Sequence, residues 1–200
     1  MKLIHHIKFA KHAIEASGVL ESGVYRLAYL FGSIAPDFNC VYPPHRIDTT
    51  KKRYISRIQR VQHTRSKLIR CFTIGVITHY TCDYFTLAHN NSSVGLFHKM
   101  YETGLLHTYM EEGEEIQYRN VGIKSSSAFG IYEEIFEANQ KYLEELGGYL
   151  KGEKWYLDKQ LMEHDLSYAL PMCESVVSEL LRVRVHSFDF GVVGYHKSAV

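Results

Sequence analysis

The sequence predicts an all-α protein, a single compact multi-helix domain over residues 1–200, and three observations carry that expectation. No proline interrupts residues 45–170, so no backbone donor is missing where long helices need one. Across residues 128–146, Ala128, Ile131, Tyr132, Ile135, Phe136, Tyr142, Leu143 and Leu146 recur at helical spacing, leaving Glu133, Glu134, Glu137 and Lys141 on the outer face. Alternating apolar and polar runs, the mark of half-buried strands, are nearly absent. Residues 182–185 offer one short candidate, which helix continuation explains equally well.

From the N-terminus, helical patterning covers residues 3–16 and 23–31. Pro36 is expected to break the helix, so residues 33–48 read as a loop holding Asp37, Asn39, Pro43, Pro44 and His45. Helices follow over residues 54–69, 69–88 and 96–112. The clearest helix is capped by Ser126 or Ser127 and stops at Gly147 and Gly148. Two more occupy residues 157–169 and 171–186, with Pro171 opening the second.

An apolar fraction of 46% and a charged fraction of 22% are ordinary for a globular protein. The formal charge of +1 gives no global reason to expect nucleic acid as partner. No apolar run approaches the roughly 20 residues that cross a bilayer. The N-terminal Met-Lys-Leu-Ile-His-His lacks the apolar stretch of a signal peptide. Cys40, Cys71, Cys82 and Cys173 show no paired spacing and read as buried thiols in a reducing compartment. A cytoplasmic protein is expected.

Residues 77–90 carry the chemistry. His79 and Asp83 are four apart, so a helix projects both from one face. Imidazole and carboxylate there can grip one metal ion. His89 lies six residues beyond Asp83, a further turn of roughly 240° on a continuous helix. It can share that grip only if the helix breaks, and otherwise suits a neighbouring metal. By composition the H-x3-D-x5-H pattern should arise about 0.02 times by chance. The H-x3-E spacing is uninformative alone, since about one is expected and His98/Glu102 and His107/Glu111 both have it. Adjacency to the first motif singles out His98 and Glu102, while His107 and Glu111 read as an exposed helical pair. His12, His45, His186 and His196 read as ordinary histidines. His164-Asp165 has the form of an HD-type phosphohydrolase dipeptide, but that signature also needs an upstream His and a later Asp at the site, and a lone dipeptide is a weak signal.

The segment His79-Tyr80-x-x-Asp83-x5-His89 resembles the central metal motif of the bacterial zinc-dependent phospholipase C family. Phe97-His98-x-x-Tyr101-Glu102 is similar to its next motif. His5-His6-Ile-Lys-Phe-Ala resembles its N-terminal His segment, Ala35-Pro36-Asp37 its loop aspartate, and Gln62-His63 the histidine that follows. The resemblance implies an all-helical domain holding two or three zinc ions. It implies one ion on Asp37, His63, His79 and Asp83, a second on His89, His98 and Glu102, and a third on His6 that shares Asp83. The secreted members' N-terminal tryptophan ligand is absent from this sequence, with His5 as its possible stand-in.

The implied activity is phosphodiester hydrolysis, with Asp83 bridging metals and Asp37 assisting the attacking water. The substrate would be a phospholipid head group or another small phosphodiester. Two alternatives stay open: cleavage of single-stranded nucleic acid, and a non-catalytic protein whose metals only staple its helices. The basic run from Lys51 to Arg70 either draws anionic substrate or forms a solvated helix face.

Overall fold

The computed structural model describes residues 3–18, 23–38, 45–90, 97–147, 149 and 158–182. These form α1 (Leu3–Ser17), α2 (Gly23–Phe38), α3 (Ile47–His63), α4 (Lys67–Tyr84), α5 (Leu87–Asn90), α6 (His98–Glu112), α7 (Ala128–Leu146) and α8 (Lys159–Arg182), with no strand among the described residues. The all-helical expectation holds.

Helix α4 is the axis of the molecule. Ser66 caps it by accepting the Ile69 amide, and every residue from Thr73 to Tyr84 is buried. Helices α1, α2, α3 and α8 all pack against it. A helix buried on every side is normally apolar throughout; this one carries His79 and Asp83 in its second half.

Two glycines let α2 and α4 approach closely. A Cβ on Gly75 would lie 2.0 Å from the Tyr29 carbonyl oxygen, and one on Gly32 2.0 Å from that of Phe72. The obstacle in each case is backbone, which cannot swing aside. Gly75→Ala is therefore expected to cost about 3 kcal/mol or more, lowering Tm in a thermal melt by roughly 6–12 °C.

Several boundaries differ from expectation. Helix α2 runs through Pro36 to Phe38 instead of breaking there. Proline's φ suits a helix and its cost is one hydrogen bond, incurred here in the last turn. Helix α3 spans Ile47–His63 where residues 54–69 were expected, starting inside the last two residues of the expected loop. Helix α8 is continuous through Pro171. The missing Pro171 amide would have bonded the Ser167 carbonyl, which instead accepts the Arg119 amide at 2.9 Å.

Candidate metal centre

Helix α4 aims His79 and Asp83 at the end of α2, where Asp37 stands. His79 donates from Nδ1 to the Ser33 carbonyl at 2.8 Å, which fixes the tautomer and turns the Nε2 lone pair toward the cluster, 3.3 Å from His45 Nδ1. That nitrogen lies 3.2 Å from Asp83 Oδ2 and 3.7 Å from Asp37 Oδ1. From α1, His6 stacks on His79 with ring centroids 3.6 Å apart, its Nε2 3.6 Å from both Asp83 Oδ1 and Asp37 Oδ2.

The chain breaks where His89 requires it. Helix α4 stops at Tyr84 and α5 starts at Leu87, which brings His89 Nε2 to 3.3 Å from Asp83 Oδ1. The break is held from three sides. Asn139 and Asn90 both donate to the Tyr84 carbonyl, and Asn90 also to that of Thr86. The Leu87 amide donates to Asp165 Oδ2 at 2.8 Å. Asp165, wholly buried, also accepts the hydroxyls of Tyr101 and Tyr142. His164 pairs with Glu145 at 3.3 Å and stacks on Tyr142. The dipeptide that read as an HD motif is thus a strut beneath α5, and neither residue joins a metal-capable group among those described.

Each oxygen of the buried Asp83 carboxylate faces two imidazoles: Oδ1 faces His6 and His89, Oδ2 faces His79 and His45. Four overlapping groups have ligand atoms within 4.8 Å of one another: His6–His79–Asp83, Asp37–His45–His79, His45–Asp83–His89 and His89–His98–Glu102. His98 Nε2 lies 2.6 Å from Glu102 Oε1 on α6. His5 does not point at these groups; its Nε2 sits 2.5 Å from the Glu102 carbonyl oxygen and ties α1 to α6.

His63 stands apart. Helix α3 runs antiparallel to α4, with Thr50 bonded to Tyr84 and Tyr54 to Thr81. Thirteen residues beyond Thr50, His63 is displaced about 20 Å along the axis, exposed at the far end and in no metal-capable group. His45, just ahead of α3, occupies the place expected of His63, its Nδ1 2.5 Å from Asp83 Oδ2. A lone histidine among twelve gives no signal in the sequence; only the antiparallel direction of α3 favours His45 over His63. His107 and Glu111 form an exposed pair at 3.1 Å, as expected.

The electrostatics fit a centre built for cations. Both His6 nitrogens, Asp83 Oδ1 and His89 Nε2 are buried and accept or donate no hydrogen bond. Lone pairs converging in a dry site without protons between them would be costly unless a cation joined them. Burial pushes the His6 imidazole well below its ordinary range, with His79 adding repulsion, and lowers His89 to about 4. Asp83 is held well below the carboxylate range because the imidazoles of His89, His79 and His6 and the His45 hydrogen bond outweigh its burial. Burial raises Asp37, and the Asp83 bond raises His45 against its own burial.

In the metal-free protein, His6 and His89 must charge on acidification. A histidine whose folded pKa is depressed contributes stability above about 6.5 that is lost as pH falls toward the folded value. His45 acts in the opposite sense above that range, and within it the raised carboxyls of Asp37 and Asp165 also oppose the loss. The direct check is therefore the titration of the imidazoles themselves, followed by NMR in the metal-free protein: His6 and His89 should stay neutral well below about pH 6.5. Imidazoles that take up their protons near pH 6.5 would contradict the assignment of buried, neutral histidines.

The sequence profile described as zinc dependent phospholipase C matches residues 5–149. The chain belongs to this family. No curated protein and no solved structure matches it. The part matching the zinc-dependent phospholipase C profile contains every side chain of the four groups, and its imidazole and carboxylate donors suit zinc. No helix among the described residues is long and apolar enough to cross a membrane.

Proposed function

We propose that the protein is a phosphodiester hydrolase whose Asp83-centred cluster holds two or three zinc ions. The supporting observation is the Asp83 carboxylate, wholly buried with imidazoles against both oxygens and unsatisfied nitrogens around it. The ligand sets would be Asp37, His45 and His79; His6 and Asp83; and His89, His98 and Glu102, with Asp83 bridging. His45 replaces His63 in the set the resemblance implied.

Bound zinc supplies Lewis-acid polarisation of a phosphoryl oxygen and a water acidified toward neutral pH. The protein does the rest. Ser33 orients His79. Asp165, Asn90 and Asn139 hold the break that presents His89. His6, His79 and Asp83 close the inner side of the cluster, whereas the side chains of Asp37, His45, His89 and His98 keep 19%, 15%, 14% and 34% of their surface. That accessible edge is where a phosphodiester enters, which favours a catalytic centre over a closed structural one. Asp37, the carboxylate at the mouth, would take a proton from the attacking water.

The substrate proposed is a phospholipid head group or small phosphodiester, in the cytoplasm. Cys71, Cys82 and Cys173, all buried and free, support a reducing compartment. A panel of phosphatidylcholine, bis(p-nitrophenyl) phosphate and a single-stranded oligonucleotide tests the reading. The first two should be hydrolysed, with chelation lowering the rate about 100-fold or more and zinc restoring it. An inert zinc-loaded protein, or one that cleaves only the oligonucleotide, overturns it.

A further inference from the structure

Upstream of Asp37 and His79, the same two helices carry a second feature. Leu27 and Phe31 of α2 and Leu68 and Phe72 of α4 line one groove and are 56%, 62%, 47% and 36% exposed. Scattered exposed apolar residues are ordinary, but a contiguous set of this size marks an interaction surface. Among the described residues, the polar side chains lining the groove are Arg57, Arg60 and Thr73. Residues 49–82 contain no Asp or Glu. Within that stretch Lys51 reaches Glu133 and Arg70 reaches the last carbonyls of α8, while Arg60, Arg65 and Lys67 are exposed.

Apolar side chains beside the exposed Arg60, Arg65 and Lys67 match one surface in particular, an anionic bilayer. Apolar groups enter the head-group layer, and each nearby Lys or Arg strengthens binding roughly fivefold. A second copy seated on this face by two-fold symmetry would bring its own arginines against these. A protein partner would want a denser set of polar contacts for register than two arginines and a threonine provide. We propose that this α2–α4 face docks on an anionic phospholipid membrane, with Leu27, Phe31, Leu68 and Phe72 entering between head groups and Arg60, Arg65 and Lys67 meeting phosphates. The proposal does not depend on hydrolysis.

Flotation of full-length zinc-loaded protein with vesicles tests it, using phosphatidylcholine alone against phosphatidylcholine with about 30 mol % phosphatidylglycerol. A parallel run in chelator separates binding from turnover, so failure here leaves the hydrolase reading standing. Binding to the anionic vesicles should be about tenfold tighter or more and should weaken with salt. Leu27→Ser with Phe31→Ser, and separately Arg60→Glu, should each weaken it roughly tenfold with unchanged circular dichroism. All three side chains are exposed, so the fold should survive. Equal binding to both vesicles, or variants that bind as well as wild type, would overturn the proposal. So would a dimer in sedimentation equilibrium that Phe31→Ser dissolves, or tight binding of an acidic amphipathic helix without any vesicle binding.

Discussion

Asp83→Asn should empty at least one zinc position and lower phosphodiester hydrolysis by about 1000-fold or more. The carboxylate is wholly buried, and its two oxygens face different pairs of imidazoles. Bridging needs a negative oxygen toward each cation. Asparagine keeps the shape but removes the charge, and its NH2 group turns a donor toward whatever it faces. Two dications would then repel across a neutral amide in a site with little water to screen them. The helices should survive by circular dichroism, because the substitution removes no volume. Retention of full zinc content and undiminished turnover would make the bridging role untenable. Asp83→Glu should also fail, since an added methylene displaces the oxygens beyond the ~0.2 Å tolerance of ligand distances.

Removal of zinc should have the second-largest effect. A ligand at about 1000 times its Kd stabilises the folded state by ~4 kcal/mol, which for a chain of this size is roughly 8–16 °C in Tm. The effect should be at least that large here because the cluster joins α1, α2, α4, α5 and α6, and in zinc's absence leaves His6, His89 and Asp83 Oδ1 buried without hydrogen bonds. Thermal melts with and without chelator measure it. Magnesium should not restore the lost Tm, because it prefers oxygen ligands and the cluster is mostly imidazole. A chelated protein that melts with the untreated one would show that no metal holds these helices together.

The parts of the site legible in the sequence were those fixed by local geometry. His79 and Asp83 share a helix face whatever the tertiary structure, so four-residue spacing places them together. The need for a break before His89 follows from the same arithmetic, and the chain breaks at Phe85 and Thr86. Long-range partners were less legible. His45 and His63 are equivalent as residues near α3, and the antiparallel run of α3 against α4 decides between them. Pro36 and Pro171 misled for a related reason. A proline interrupts a helix only when the bond it removes cannot be replaced, and Arg119, forty-eight positions before Ser167, supplies the replacement at Pro171. Asp165 read as half of a catalytic dipeptide because sequence does not reveal that two tyrosines and the Leu87 amide surround it.

Zinc content tests the central claim most directly. Elemental analysis of zinc-supplied wild type should return two or three ions per chain, because these ligands exceed what one four-coordinate ion can hold. His45→Ala should lose part of that content, and His63→Ala, exposed at the far end of α3, should keep all of it. A wild type without metal, or a His63→Ala protein that loses zinc while His45→Ala retains it, would contradict the account.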